Sequence, residues 1–256
     1  SENTLIGAHA GDALTDADLN VAVGYQALSA DTKGSRNIAI GYSALFSQNF
    51  TSSTNSFNTA VGDSAGQQIT TAIENTLIGG LAGDAITTGN SNVAVGYLSL
   101  TANTTGASNV GIGVIALDAN TTGSDNVGMG RGALGANTTA SNNTAVGGLA
   151  LSSNTTASSN TAVGYQSLTS NTTGTRNVGV GYNTLSLNTT ANDNTSVGHD
   201  ALDVNTTGAS NTALGSSALG ANTTAPNNTA VGYQALKANT TGDTNVAVGK
   251  DSMLAN

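Results

Sequence analysis

The chain has 256 residues, of which 8% are charged where about 25% is usual, a formal net charge of −9, and neither Cys nor Trp. Absence of Cys excludes a disulfide scaffold and a thiolate metal site, and six scattered Lys and Arg argue against nucleic acid as a partner. No apolar run approaches the ~18 residues of a membrane-spanning helix, so membrane insertion is not expected; no signal peptide is read either.

Asn recurs every 17 residues, at positions 3, 20, 37, 58, 75, 92 and so on to 245, and only the copy at 37–57 is longer, with 21 residues. A fixed short period means a stack of like units that bury their apolar faces against one another. With that Asn as slot 1, slot 2 is always β-branched, slot 3 is mostly Ala or Gly, slot 4 is a large aliphatic or Met, and slot 5 is Gly in every copy. Asn160, Val163, Gly164 and Leu168 represent slots 1, 4, 5 and 9 in one copy; Asn228, Val231, Gly232 and Leu236 do so in another.

Slots 1 to 5 predict a short strand with slots 2 and 4 on one face and slots 3 and 5 on the other. Gly at slot 5 suits a positive φ at a corner and a close approach by a neighbouring backbone. A second strand is expected around slots 7 to 11, with a small residue at slot 8 and Leu at slot 9. The remaining Asn-Thr-Thr-Gly/Ala segment is turn chemistry. The first copies vary. Those beginning at Asn3, Asn58 and Asn75 have Gly at slot 9 and an aliphatic at slot 12 (Leu14, Ile69, Ile86), as if the lost side chain returned three residues later.

The expected fold is all-β: one parallel β-solenoid (β-roll) domain of fifteen 17-residue coils over 1–256. Its coils are variant over 1–91, expanded at 37–57 and regular over 92–256. Each coil has two to four sizeable apolar side chains. Burying one contributes about 1.5–3 kcal/mol, against roughly 1–2 kcal/mol to order each residue's backbone. Bonds between coils and contacts with further chains must supply the rest, which points to oligomerisation.

The units Asn160 to Gly174 and Asn228 to Gly242, reading Asn-Thr-Ala-Val-Gly-Tyr-Gln followed by Asn-Thr-Thr-Gly, resemble repeats of phage-type tail-fibre and bacterial surface-fibre proteins. The Asn-x-Ala-Val/Ile-Gly core is also similar to the head repeats of YadA-type trimeric autotransporter adhesins, although its period is longer than theirs. The resemblance covers the whole chain. It implies a left-handed trimeric β-roll, a role in attachment, and an extracellular, cell-surface or virion location.

The candidate functional residues divide by slot. His9 and His199 lie eleven copies apart, too far for one catalytic site, and read as solvated surface groups. Asp12, Asp16 and Asp18 read as a calcium cluster or as solvation of the leading end. The nine Asn-Thr-Thr triplets from Asn103 to Asn239, and Asn49-Phe50-Thr51, match the glycosylation pattern but are also turn chemistry. In register they would align Thr104, Thr121, Thr138, Thr155, Thr172, Thr189, Thr206, Thr223 and Thr240 as a surface ladder able to meet ice or glycan. Tyr25, Tyr42, Tyr97, Tyr165, Tyr182 and Tyr233 at slot 6 pack at the corner or stack on sugars. Phe46, Phe50 and Phe57 form a plug under the insertion or contact a partner.

The expected function is that of a non-enzymatic fibre shaft without a cofactor, assembling with itself as a homotrimer. The alternative is a monomeric glycan- or ice-binding solenoid, with a cell-surface glycan or receptor as partner. The register at the two ends would let a second copy continue the winding, so head-to-tail polymerisation is a further expectation.

Overall fold

A computed structural model describes residues 2–254. The chain divides into two compact units, Ser1–Asn126 and Val127–Asn256. Each is a parallel β-solenoid, with no helix among the described residues.

The first unit contains β1 (Thr4–Ile6), β2 (Val21–Val23), β3 (Gly34–Ser35), β4 (Ile38–Ile40), β5 (Thr54–Asn55), β6 (Thr59–Val61), β7 (Thr76–Ile78), β8 (Val93–Val95) and β9 (Val110–Ile112). Successive coils pair in parallel, Thr4 against Val21 and Leu5 against Ala22, so the 17-residue period is the strand register. The longer copy keeps that register, with Ile38 opposite Thr59. Its four extra residues are confined to the far side, where β3 and β5 form a small pair of their own. The second unit contains β10 (Val127–Met129), β11 (Thr144–Val146), β12 (Thr161–Val163), β13 (Val178–Val180), β14 (Thr195–Val197), β15 (Thr212–Leu214), β16 (Thr229–Val231) and β17 (Val246–Val248). All eight pair in sequence order.

Gly at slot 5 serves both expected purposes. Gly164 has φ +129°, and a Cβ there would collide with the carbonyl of Gly181 on the next coil. Slot 15 is also tight: a Cβ on Gly174 would crowd the carbonyl of Ala191, yet Ala140, Ala157, Ala191 and Ala225 stand at that slot and are buried. Small shifts suffice there because the backbone is not left-handed.

The expected second strand does not form. Slots 7 and 9 are both left-handed, as at Gln166 (φ 55°) and Leu168 (φ 53°), and so is slot 17, as at Arg176 (φ 57°). A strand would point slots 8 and 9 to opposite faces. The left-handed residues instead turn Ala or Ser at slot 8 and Leu at slot 9 both inward, and Leu28, Leu100, Leu134 and Leu168 are fully buried. Main-chain bonds to neighbouring coils continue through this segment: the Leu168 N–H donates to the Thr184 carbonyl at 3.0 Å and the Gln166 N–H to the Gly148 carbonyl at 3.0 Å. These bonds replace part of what a strand ladder would have supplied.

The interior is narrow and half polar. It holds slot 3 (Ala162, Ala213 and Ala230, all fully buried), slots 8 and 9, and two asparagine columns at slots 1 and 12. In the slot-1 column, the Asn177 N–H donates to Asn160 Oδ1 at 2.9 Å, and Asn177 Nδ2 donates across its own coil to the Ala191 carbonyl at 2.8 Å. In the slot-12 column, Asn171 Nδ2 donates to Asn154 Oδ1 at 3.1 Å and to the Gly174 carbonyl at 2.9 Å. Asn188 Nδ2 in turn donates to Asn171 Oδ1 at 2.9 Å. Among the described residues no buried side-chain nitrogen or oxygen lacks a partner. The sequence reading treated the slot-12 residues as turn chemistry; they close the turn and also fill the core.

The variant coils exchange volume as expected. A Cβ on Gly83 would meet Ile86 Cδ1 at 2.7 Å and Leu77 Cδ2 at 2.8 Å, so slot 12 and slot 3 side chains occupy the space a slot-9 Leu takes elsewhere. In the second coil Asp31 replaces the slot-12 Asn. Though buried, it accepts from Gly34 N–H at 3.0 Å, from the Lys33 and Phe50 N–H groups, and from Gln48 Nε2 at 2.6 Å.

Candidate functional surface

Slots 2 and 4 share a face, as the alternation predicts, and it is the outer one. In nearly every strand the middle residue is buried and its neighbours are not. The larger aliphatics therefore lie outside: Ile6, Ile40, Ile78, Val163 and Leu214 are exposed, and Val231 is half-buried. Of the eight residues chosen to represent the repeat, Asn160, Gly164, Leu168, Asn228, Gly232 and Leu236 build the coil, while Val163 and Val231 belong to its surface. Each unit thus presents a parallel sheet whose outer rows are Val, Ile, Leu, Met and Thr, without one charge.

Slot 6 forms the corner beside this face. Its six tyrosines are between 46% and 54% exposed. Two runs stack. Tyr25 lies 5.5 Å from Tyr42, with His9 edge-on to Tyr25 at 5.9 Å. Tyr165 lies 5.7 Å from Tyr182, which lies 5.2 Å from His199. Both histidines are surface groups as expected, each with Nδ1 3.0 Å from an aspartate, Asp12 for His9 and Asp200 for His199.

The threonine ladder shifts by one residue. Most hydroxyls at slot 13 are spent within the stack, as where Thr104 Oγ1 donates to the Thr121 carbonyl at 3.1 Å and Thr172 Oγ1 to the Thr189 carbonyl at 3.0 Å, while Thr240 in the last triplet is exposed. The following threonines, such as Thr105, Thr156, Thr173 and Thr207, are the exposed row. Sequence identity at the two slots hides this, since only the coil's curvature separates them. The Asn of each triplet is buried with its amide hydrogen-bonded, so glycan attachment there is incompatible with the folded coil, whereas Asn49 is exposed.

The three phenylalanines are not brought together as one plug. Phe50 is buried beside Asp31, Phe46 is half-buried, and Phe57 is 53% exposed with the Arg36 guanidinium 5.9 Å above its ring. Asp12, Asp16 and Asp18 do not converge either, and no group of three potential metal ligands occurs among the described residues. Asp12 pairs with His9, and Asp16 accepts from Ser53 Oγ at 3.3 Å.

Electrostatics single out slot 10 in two coils. Burial pushes the Asp118 carboxyl above the usual carboxylate range. Burial, and then the neighbouring Asp200, do the same for Asp203. At the surface, the Arg176 guanidinium grips Asp193 on the next coil through two bonds, at 2.7 and 2.9 Å, and holds that carboxyl below its usual value. Among the described residues no helix is long and apolar enough to cross a membrane. No protein-family model, curated protein or solved structure matches this chain.

Proposed function

We propose that this chain is a non-catalytic structural solenoid, a shaft segment of an extracellular or virion fibre, whose copies associate side by side. The observation carrying this reading is the outer strand face. A parallel sheet with uncharged rows of aliphatic and threonine side chains, continuous along each unit, is the surface a protein covers with another chain. The interior points the same way. One Leu, two or three small residues and two hydrogen-bonded asparagines per coil form too thin an apolar core to stand alone at ordinary stability. A three-fold assembly of left-handed coils, as the fibre and adhesin resemblance implies, covers one such face per chain around a common axis.

Sedimentation of the purified protein tests the proposal. The wild type is expected as a trimer of the 25.0 kDa chain. Val163→Lys combined with Leu214→Lys should release single chains while the circular-dichroism spectrum is kept, because both side chains already face outward. A wild type that sediments as a 25.0 kDa particle at high concentration would remove this reading.

A further inference from the structure

The coil beginning at Asn211 differs from its neighbours around the corner: its outward side chains are missing or small at three slots, two of them consecutive. It has Ser216 at slot 6, Ser217 at slot 7 and Gly220 at slot 10. The coils on either side are fully furnished there. A cavity of about 200 Å³ opens in the gap, lined by Asp200 and Asp203 from one side, Lys237 from the other, and Ser217 and Gly220 at the floor.

The aromatic column is interrupted at the same coil. His199 ends the run that begins at Tyr165, and its one face is covered by Tyr182 at 5.2 Å. Tyr233 resumes the column two coils on, and its far face is covered by the Lys250 ammonium at 5.9 Å. His199 and Tyr233 are therefore the two rings that flank Ser216 along the column. Two coil rises separate them, about 9.5 Å. The same two-coil interval separates Tyr165 from His199 and holds the ring of Tyr182, at 5.7 and 5.2 Å from its neighbours, so the interval at Ser216 has room for one further ring. The cavity adjoins this interval, because Asp200, one of its walls, touches His199 at 3.0 Å.

We propose that this notch binds a single pyranose ring, neutral or amino-substituted, held between His199 and Tyr233 with its polar substituents turned to Asp200, Asp203 and Lys237. The chemistry selects that class. A saccharide has apolar C–H faces for the two rings and a rim of hydroxyl donors and acceptors for two carboxylates and an ammonium. A flat apolar aromatic would cover those charged groups while offering them no hydrogen bond. Two carboxylates against one ammonium disfavour a uronic acid and favour an amine. Asp203 is already hard to ionise where it stands, so a hydroxyl or ammonium donor would relieve it. The notch lies past the corner from the outer strand rows, so it is distinct from the face assigned to assembly.

Saturation-transfer NMR on the full chain tests this, with methyl glucoside, N-acetylglucosamine, glucosamine and glucuronate as probes. Transfer is expected to the ring protons of the first three and not to glucuronate. Ser216→Tyr fills the interval with the residue six other coils have at slot 6, and Gly220→Thr fills the cavity with the residue Thr169 supplies at slot 10. Both variants should fold, and each should weaken binding at least about tenfold. Tyr165→Ser, at the far end of the run, should bind like the wild type. Absence of transfer to all three sugars overturns the proposal, as does equal binding of glucuronate or undiminished binding by both filled variants. Sedimentation of the same samples reports assembly independently, so failure here does not touch the shaft reading, nor the reverse.

Discussion

At the scale of single residues, the unusual feature is leucine held at positive φ in coil after coil. A bulky residue in the left-handed region costs about 1–2 kcal/mol, and slot 9 accepts that cost because only this backbone turns two successive side chains inward. Replacing Leu168 isolates the effect, since it is fully buried with φ 53°. Leu168→Ala should destabilise by about 2–5 kcal/mol through the lost side chain and the cavity. Gly normally costs a further 0.5–1 kcal/mol or so relative to Ala in regular structure. Here it should not, because Gly releases the left-handed strain. Thermal melts are expected to place Leu168→Gly at or above Leu168→Ala; a Gly variant melting clearly below the Ala variant would contradict the strain at this slot. Three coils already contain that Gly, at Gly11, Gly66 and Gly83, and each compensates with an aliphatic three residues later.

At the scale of the coil, the two asparagine columns replace the apolar core that a wider solenoid would have. Each amide donates along the stack and across its own turn while its oxygen accepts from the next coil, so a single replacement strands groups on both sides. Asn171→Leu would remove the acceptor for Asn188 Nδ2 and the donors to Asn154 Oδ1 and the Gly174 carbonyl. Each buried group left unsatisfied costs about 1–3 kcal/mol, and Leu would also overpack against Leu168. Asn171→Leu is therefore expected to lower the melting temperature more than Leu168→Ala, although it makes the interior more apolar. A Leu variant at least as stable as the wild type, in the same calorimetric scan, would show that the column is dispensable. Ile69 and Ile86 occupy this slot without penalty because slot 9 is Gly in their coils and because the slot-12 Asn column begins only at Asn103.

At the scale of the whole molecule, the low charge and the bare outer rows place most of the electrostatic control in a few side chains. Asp203 is the clearest. Its carboxyl titrates above its ordinary value in the folded state, so the folded protein binds that proton more tightly than the unfolded chain does. Its ionisation therefore weakens the fold at neutral pH, and the penalty is relieved as pH falls through the folded value and is gone below the unfolded one. Asp203→Asn should raise the melting temperature at pH 7, and the gain should vanish by about pH 3. His199 and Asp200 act on the same carboxyl, from opposite directions, so the difference curve is best measured in their presence. A variant that melts lower than the wild type at pH 7, or a gain that grows in acid, would reverse this assignment. Asp193 has the opposite sign: Arg176 holds it low, and its contribution is lost in acid.

The sequence by itself determined the period, the parallel register and the requirement for Gly at slot 5, because these depend on local backbone geometry repeated at a constant interval. It also determined the exchange between slots 9 and 12, since the same volume has to be filled in every coil. What it did not determine was which face of the strand is inside. Alternation separates slots 2 and 4 from slots 3 and 5 but assigns neither to the interior, and side-chain size points the wrong way. Only the closed coil decides. Its cross-section is already occupied by the slot-9 Leu and two asparagine columns, so just Ala, Gly or an occasional Leu fits at slot 3, and Val163 and Val231 are turned out. The same closure buried the asparagines, left one threonine exposed and not the other in every triplet but the last, and set His199, Tyr233, Asp203 and Lys237 around one coil. In sequence those residues are separated by a full period or two; they become neighbours because 17 residues of winding advance the chain by a single strand spacing.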